Sequence, residues 1–134
     1  MNDCLFCKIV AGEIPSYKVY EDERFLAFLD INPVNRGHTL IVPKKHSKSL
    51  LEMEDNLASE MVILIKTLAK HIKEKLNADG INIMSNIEAP AGQIIFHTHI
   101  HIIPRFKNDG FKHWHGTEYK KNEAQKIQEI LKTN

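Results

Sequence analysis

The stretch from His97 to Arg105 reads His-Thr-His-Ile-His-Ile-Ile-Pro-Arg, so that three histidines alternate strictly with small or apolar residues. A period of two is the period of a β-strand. We therefore expect the imidazoles of His97, His99 and His101 to project from one face of a strand, roughly 6 to 7 Å apart. Partly buried imidazoles cost free energy to desolvate unless each has a partner. Three of them in a row indicate a functional site, where they could bind a phosphate, ligate a metal or attack phosphorus.

The composition of the chain is that of one compact domain, residues 1–134. Its 134 residues are 43% hydrophobic, which is enough for a real core. The formal net charge of +1 gives no electrostatic case for nucleic acid or a membrane as the main partner. No apolar run approaches the roughly 18 residues of a spanning helix. Because the N-terminus from Met1 to Cys4 has neither a basic region nor an apolar core, we expect a cytoplasmic protein without a signal peptide.

Hydrophobic periodicity and turn residues predict an antiparallel α+β domain. Apart from the histidine stretch, strands are expected at residues 17–21, 25–29, 38–42 and 81–85. A helical turn is expected at residues 6–11. One long helix runs from an N-cap at Asp55 or Asn56 to Leu76, because the apolar residues there follow helical spacing. A short helix at residues 122–132 closes the chain, and the mostly short connections between strands favour the α+β class.

Four further features could carry chemistry. Gly92-Gln93 lies just ahead of the histidines, where glycine lets the backbone approach a ligand closely, and His38 opens the third expected strand. Cys4 and Cys7 form a C-x-x-C pair, which in a reducing compartment suits a metal or redox site. Two cysteines alone are too few for zinc, and they could simply be small buried thiols. The last feature is a set of residues near these elements: Phe6, Ile9, Ile14, Phe28, Asp30, Ile31 and Asn86.

These residues together resemble the small nucleotide-binding branch of the histidine triad (HIT) family. The family motif is His-φ-His-φ-His-φ-φ, with φ apolar, and residues 97–103 match it with Thr98 as the one weak position. Further similar segments lie at residues 6–9, 14–15, 19–22, 27–31, 37–44 and 92–93, and at Asn86. The resemblance spans most of residues 4–105, the core of the expected domain, and leaves residues 106–134 as a tail.

The resemblance implies a HIT-like fold, a five-stranded antiparallel sheet that pairs with a second copy into a ten-stranded sheet. The long helix, around residues 61–68, would lie at this homodimer contact. The resemblance also implies hydrolysis or transfer at the α-phosphorus of a purine nucleotide, without a catalytic metal. A nucleoside 5′-phosphoramidate is the first choice of substrate. A dinucleoside polyphosphate is the alternative, because another branch of the family uses the same triad on P–O–P bonds.

Position by position, the resemblance assigns roles to the candidate residues. His99 would be the nucleophile and form a nucleotidyl-histidine intermediate, while His101 would hold a phosphate oxygen and His38 would lie beside the same phosphate. A neutral imidazole is a competent nucleophile near pH 7, and a backbone carbonyl can fix its second nitrogen. The other implied contacts are Asn86, Gly92 and Gln93 for the phosphate, Asp30 and Ile31 for the ribose, and Phe6, Ile9, Ile14 and Phe28 for the base.

The resemblance also implies a structural zinc. Bacterial relatives that are similar to this chain hold the ion with a C-x-x-C pair, the histidine after the Pro-Lys segment and the first histidine of the triad. Here these residues are Cys4, Cys7, His46 and His97. Thiolates and imidazoles in a closed tetrahedral set suit zinc, and such a site would fasten the N-terminus to the sheet.

One position departs from the family pattern. Relatives often carry serine or threonine directly after Gly-Gln, but this chain has Ile94, which cannot donate a hydrogen bond. A nucleotide-binding module with little turnover therefore stays open as an alternative. A zinc hydrolase in which all three triad histidines bind one metal is another, although successive imidazoles on a strand face lie too far apart to meet one ion comfortably. Residues 113–115 read His-Trp-His, which is typical of a docking anchor in a tail.

Overall fold

The structure is a computed structural model that describes residues 3–133. The expectation about a signal peptide begins at Met1 and Asn2, which lie outside this range. The strands are β1 (Lys18–Glu21), β2 (Phe25–Leu29), β3 (Thr39–Pro43), β4 (Gly80–Met84) and β5 (Ile100–Arg105). The helices are α1 (Leu5–Val10), α2 (Asp55–Leu76) and α3 (Glu123–Leu131), with 3₁₀ turns at Leu50–Glu52 and Ala89–Ala91. The five strands form one antiparallel sheet in the order β1-β2-β3-β5-β4, which confirms the expected α+β fold.

Helices cover both faces of this sheet. Successive residues of a strand point to opposite faces, so Ile41 packs with Met61 of α2 while its neighbour Leu40 packs on the other face with Phe6 of α1. Burying one such side chain contributes about 1.5 to 3 kcal/mol to folding. Ile100 and Ile102 of β5 belong to the α2 side. His101, which alternates with them, therefore points to the α1 side.

The histidine stretch is not one continuous strand. β5 begins only at Ile100, so His101 alone of the three histidines lies in the sheet, and the expectation of three imidazoles on one strand face is wrong. Pro43, the last residue of β3, has no N–H with which to continue the ladder. The N–H of Thr98 instead donates to the carbonyl of Ser47 at 2.8 Å. The segment before β5 therefore bends away from the sheet.

The long helix lies close to its expected position. Its N-cap is Glu54 rather than Asp55 or Asn56, and no side chain caps its first turn, so the expected capping residue is wrong. The Glu54 carboxylate pairs with the ammonium group of Lys45 instead. At the other end, Asn77 adopts a left-handed conformation with φ 53°, and its N–H donates to carbonyls of the last turn.

Three apolar residues of α2 are committed to the chain's own core. Met61, Ile65 and Leu68 are buried against the sheet of their own chain, whereas the expected dimer contact around residues 61–68 stays a prediction. Val62 and Ile63 are the apolar residues of this block whose side chains are largely exposed. These two residues form the exposed apolar part of the block.

The tail after β5 makes most of its contacts with the domain at its beginning. Arg105 and Asp109 form a bidentate ion pair, and the Asp109 carboxylate also accepts from the N–H groups of Phe106 and Phe111. Trp114 is 95% exposed, and α3 has no buried residue. The expected C-terminal helix is present, but it makes little contact with the domain. Across residues 3–133, the helices all lack the combination of length and apolar character that crossing a bilayer requires.

Candidate active site and metal centre

A cavity of about 510 Å³ opens on the α1 side of the sheet, within the size range of small-molecule sites. Leu5 of α1 and residues 14–16, which follow the helix, line this cavity. His99 faces the helix, and its ring centroid lies 5.0 Å from that of Phe6. The remaining lining residues are Ile9, Phe28, Leu29, Asp30, Ile31, Asn32, Leu40, Asn86, Gly92, Ile94, Ile95 and His101.

His99 has one ring nitrogen that is fixed and one that is free. Its Nδ1 lies 2.7 Å from the carbonyl oxygen of His97, and because a carbonyl only accepts, Nδ1 carries the proton and donates. Nε2 of the neutral ring then keeps its lone pair, with no hydrogen-bond partner among residues 3–133. Burial lowers the pKa of His99 below its ordinary value of 6.5, so the ring is neutral at pH 7. This is the form in which an imidazole acts as a nucleophile.

His38 and His101 form a short chain of hydrogen bonds that ends at the cavity. The backbone N–H of Val34 donates to His38 Nδ1 at 3.1 Å, so the proton of neutral His38 lies on Nε2. That Nε2 donates to His101 Nδ1 at 2.9 Å, which leaves the proton of His101 on its own Nε2. Burial, followed by the nearby His99 and His38, lowers the pKa of His101 to about 4. His101 is therefore a neutral N–H donor, suited to a phosphate oxygen.

His38 itself does not line the cavity. The sequence predicts it beside the phosphate, but the structure places it one ring further back, buried behind His101. Its Nε2 also lies 3.7 Å from Oδ2 of Asp30, a carboxylate that does line the cavity. His38 therefore affects the cavity indirectly, because its hydrogen bond orients the ring of His101.

The loop before the histidines contributes Asn86 and Gly92 to the cavity lining, but not Gln93. Gln93 is buried; its Nε2 donates to two backbone carbonyls, including that of Lys48 at 2.8 Å, and its Oε1 accepts from a loop N–H at 2.9 Å. A direct phosphate contact by Gln93, as expected from the sequence, does not agree with this placement, because its amide is already engaged. Gly92 has φ +100°, and a Cβ there would approach Asn86 Nδ2 to 3.3 Å, so the turn requires glycine.

Apolar side chains line part of the cavity next to the histidines. Phe6 and Phe28 meet edge to face with their ring centroids 5.6 Å apart, and Ile9 and Ile14 line the cavity with them. The structure thus brings the four expected base residues together with Asp30 and Ile31. Sequence reasoning missed several lining residues, most of which directly adjoin predicted ones in the chain: Leu5, Pro15, Ser16, Leu29, Asn32, Leu40 and Ile95.

A second cluster of polar side chains lies beside the cavity, made of Cys4, Cys7, His46 and His97. His97 Nε2 donates to the carbonyl of Pro43 at 2.8 Å, so His97 Nδ1 turns a lone pair to the cluster. The sulfurs of Cys4 and Cys7 lie 3.4 and 3.5 Å from this Nδ1, and His46 Nδ1 lies 3.1 Å from it. Tetrahedral zinc, with bonds of about 2.0 to 2.3 Å, keeps such ligand atoms roughly 3.3 to 3.8 Å apart. The four residues therefore fit a zinc ion.

The protonation state of Cys7 depends on whether a cation occupies this cluster. Burial, followed by the neighbouring Cys4, raises the pKa of the Cys7 thiol to about 11. A divalent cation would reverse this effect and favour the thiolate, which is the form that binds metal. His97 links the cluster to the cavity, because its ring faces the cysteines while its carbonyl oxygen holds Nδ1–H of His99.

The three motif histidines do not converge on one point. The ring of His97 faces the cysteines, whereas His101 groups with His38 and Asp30. Contacts already join the members of this second group, at 2.9 Å between the two histidines and 3.7 Å between His38 and Asp30. Within the described residues, a single metal ion held by all three motif histidines does not fit this geometry.

Comparison with known proteins agrees with this fold. The family model described as the HIT domain matches residues 11–108. An uncharacterized HIT-like protein of Borreliella burgdorferi is 55% identical over 114 residues, which are 83% of this chain and 81% of that protein. The adenylylsulfatase HINT3 of Arabidopsis thaliana is 45% identical over 108 residues, which are 81% of this chain and 55% of that longer protein.

Solved structures share the fold as well. A HIT family protein of Bacillus subtilis has a TM-score of 0.89 at 44% identity, with 96% of this chain and 94% of that one covered. A zinc-bound histidine triad family protein of Mycobacterium smegmatis has a TM-score of 0.78 at 40% identity, with 83% and 81% covered. With the histidine motif, the five-stranded sheet and these similarities in agreement, the chain belongs to the histidine triad (HIT) family.

Proposed function

We propose that this chain hydrolyses purine nucleoside 5′-phosphoramidates at the α-phosphorus through a covalent nucleotidyl-His99 intermediate. The observation that carries the proposal is the hydrogen bond from His99 Nδ1 to the carbonyl of His97, because it leaves the lone pair of Nε2 free on a ring that lines a nucleotide-sized cavity. The similarity to a protein named an adenylylsulfatase supports chemistry at a nucleotidyl phosphorus.

In this mechanism the reaction takes two steps. His99 Nε2 attacks phosphorus and forms a P–N bond, while the bond to the leaving nitrogen breaks with its electron pair on that nitrogen, which departs as an amine after taking a proton from water. The hydroxide that this proton transfer leaves then attacks phosphorus, the bond to His99 breaks, and the electron pair returns to Nε2. The N–H of His101 stabilises the charged oxygens in both steps, aided by the Asn86 amide.

The nucleoside lies in the remainder of the cavity under this proposal. The ring pair of Phe6 and Phe28 encloses the base together with Ile9 and Ile14, and the carboxylate of Asp30 is the acceptor for ribose hydroxyls beside Ile31. Ground-state affinity would then come mainly from this part, whereas His99 bonds to phosphorus only along the reaction path.

Charge favours an amine over a polyphosphate as the leaving group. Asp30 is the one formally charged side chain among the described lining residues, and no lysine or arginine lines the cavity there. A departing nucleoside polyphosphate carries several negative charges and would find a carboxylate but no cation. An amine leaves without this penalty. Dinucleoside polyphosphates are therefore the weaker substrate class in this proposal.

One substrate panel on a single preparation tests the proposal. We expect kcat/KM to be at least about tenfold higher for adenosine and guanosine 5′-phosphoramidate than for diadenosine polyphosphates, on the ground of the charge mismatch. His71, an exposed histidine of α2, gives the matched control: His71→Ala should match the unmutated protein. Preference for the polyphosphates would move the proposal to that substrate class. Nucleotide binding without turnover of either class would instead support the binding module.

A further inference from the structure

We propose that a chain of hydrogen bonds through two peptide groups, from the ring of His99 to the carboxylate of Glu52, positions the nucleophile. Ser47 and Thr98 hold the middle of this chain. They are positioning residues, because neither of their side chains lines the cavity. This inference rests on the proposed function and deepens it, since it concerns how the same histidine is kept in its reactive tautomer.

The first link of the chain is the peptide group between His97 and Thr98. Its carbonyl accepts from His99 Nδ1 at 2.7 Å, and its N–H donates to the carbonyl of Ser47 at 2.8 Å. A trans peptide group is planar, so its C=O and N–H point in opposite directions and cannot turn independently. The hydrogen bond to Ser47 therefore fixes the direction of the carbonyl that holds the ring of His99.

The second link is the peptide group between Ser47 and Lys48. Its carbonyl accepts from Thr98, and its N–H donates to Oε1 of Glu52 at 3.0 Å. Every donor along the chain thus points the same way, from the imidazole towards a negative charge. Hydrogen bonds in such a series polarise one another, and the bond to the carboxylate is charge-assisted. Glu52 therefore strengthens, through two peptide groups, the bond that keeps the proton of His99 on Nδ1.

A pair of hydroxyl groups holds the two links against each other. Residues 46–48 and 97–99 lie outside the strands of the sheet, so they depend on contacts of their own. Thr98 Oγ1 lies 2.6 Å from Oγ of Ser47 and donates to the Ser47 carbonyl at 3.2 Å. Thr98 is only 1% exposed, so its hydroxyl relies on these partners rather than on water. An apolar residue at this weak position of the motif would not make these contacts.

The chain affects reactivity because a neutral imidazole has two tautomers. The reactive one carries its proton on Nδ1 and leaves the lone pair of Nε2 for phosphorus. A carbonyl of His97 that turned away would release the proton to Nε2, where it blocks attack. Since the hydroxyl pair lies outside the cavity, its loss should lower the rate without removing a contact to bound nucleotide.

Two substitutions at Thr98 separate the role of the hydroxyl from that of packing. Thr98→Val keeps the shape of the side chain and loses the hydroxyl, whereas Thr98→Ser keeps the hydroxyl and loses a methyl group. Thr39→Val is the matched control, because Thr39 is equally buried, donates to the carbonyl of Gly37 at 2.8 Å and lies outside the cavity. Ser47→Ala removes the other hydroxyl at a half-buried position and decides the question if Thr98→Val does not fold.

Two readouts are taken on each variant, well below its midpoint of thermal unfolding. Long-range ¹H–¹⁵N NMR spectra without substrate report the tautomer of His99, and turnover of adenosine 5′-phosphoramidate gives kcat. In Thr98→Val and Ser47→Ala we expect a detectable share of the Nε2–H tautomer and a kcat about tenfold lower, with the affinity for adenosine monophosphate within about twofold. The unmutated protein, Thr98→Ser and Thr39→Val should keep the Nδ1–H tautomer and agree in kcat within about threefold.

Glu52→Ala tests the far end of the chain. Glu54→Ala is its control, because it removes an equal exposed charge two residues further along. We expect kcat to fall about threefold in Glu52→Ala and to stay unchanged in Glu54→Ala. An equal result for the two variants would overturn the part of the chain beyond Ser47.

A Thr98→Val protein with an unchanged tautomer or an unchanged kcat would overturn the proposal, and so would an equal loss of rate in Thr39→Val. If the unmutated protein hydrolyses adenosine 5′-phosphoramidate in that case, the proposed function stands and only the positioning chain falls. If it does not hydrolyse this compound, the proposed function falls. The tautomer of His99 in Thr98→Val then decides alone, and an unchanged Nδ1–H tautomer would overturn the chain as well.

Discussion

Each histidine of the motif has one ring nitrogen tied to the surrounding structure, and the other nitrogen decides what the residue can do. His97 and His99 each donate to a backbone carbonyl, whereas His101 accepts from His38. The free nitrogen of His97 therefore turns its lone pair to two cysteines. The free nitrogen of His99 keeps a lone pair on a ring of the cavity wall, and that of His101 carries a proton that it can donate. Three identical residues thus acquire three chemical roles from their hydrogen-bond partners.

The lowered pKa of His101 predicts a loss of stability in mild acid. Its folded pKa of about 4 lies below the ordinary value of 6.5, so the unfolded chain binds more protons between these values. The contribution of His101 to the free energy of unfolding is therefore complete above pH 6.5 and falls as the pH drops towards 4. Denaturant unfolding should show that His101→Gln loses less stability than the unmutated protein between pH 7 and 4.5, by roughly 1 to 2 kcal/mol. Parallel pH curves for the two proteins would contradict this assignment.

At the scale of elements, the loop of residues 86–93 and the N-terminal helix α1 hold the site in place. The side chain of Gln93 ties the loop to the chain near Lys48, two residues after His46. The candidate zinc ligands join α1 to the segment that carries His97. Both elements lie on the α1 side of the sheet, where the cavity opens.

Gln93 should matter more for stability than for nucleotide affinity. Gln93→Met removes three hydrogen bonds and leaves buried backbone groups without partners, so we expect the free energy of unfolding to fall by about 1 to 3 kcal/mol. Asn86→Ala, in the part of the loop that lines the cavity, should do the reverse and weaken nucleotide binding with little effect on unfolding. Calorimetric titration with adenosine monophosphate measures the nucleotide affinity of both variants, and denaturant unfolding measures their stability. A stable Gln93→Met protein that has lost nucleotide affinity would restore Gln93 as a phosphate contact.

The cysteine–histidine cluster predicts a zinc-dependent fold stability. His46→Ala should release one zinc per chain and lower the midpoint of thermal unfolding, because a structural site adds its binding free energy to folding. The exposed His71→Ala variant is the matched control and should keep both the metal and the midpoint. Elemental analysis of protein purified without chelators measures the zinc. An unmutated protein with no zinc, or a His46→Ala protein with an unchanged midpoint, would contradict the structural role.

Element types were predictable because hydrophobic periodicity is strong in this chain, whereas the fine structure of the site was not. β2 has its predicted bounds, and α2 differs only in its cap. The start of β5 was missed because Pro43 and Ser47, distant in sequence, decide where the ladder ends. For the same reason, the burial of Gln93 and the place of His38 behind His101 depend on contacts that no local pattern records.

At the scale of the whole molecule, the two edges of the sheet differ in their chemistry. β1 carries Lys18 and Glu21 and has an irregular register with β2, features that protect an edge from pairing. β4 reads Gly-Ile-Asn-Ile-Met without a charge, and Ile83 and Met84 are exposed on it. The β4 edge is therefore the one suited to extend the sheet with a second copy.

This difference predicts a homodimer that pairs through β4. Sedimentation equilibrium at micromolar concentration should give twice the chain mass, and Ile83→Lys should shift the protein towards the monomer, since a like charge would face its symmetry-related copy. Leu51→Lys adds the same charge at an exposed leucine outside β4 and should leave the dimer intact. A monomeric unmutated protein would reject the dimer, and a dimeric Ile83→Lys protein would place the contact elsewhere.

The central claim is that His99 is a covalent nucleophile, and the turnover of His99→Ala tests it most directly. With adenosine 5′-phosphoramidate, we expect kcat to fall by roughly a thousandfold or more, while the affinity for adenosine monophosphate stays within about tenfold, or ~1.4 kcal/mol. The reason is that the base and ribose contacts remain, whereas the bond to phosphorus cannot form. Near-normal turnover by His99→Ala would contradict the covalent mechanism.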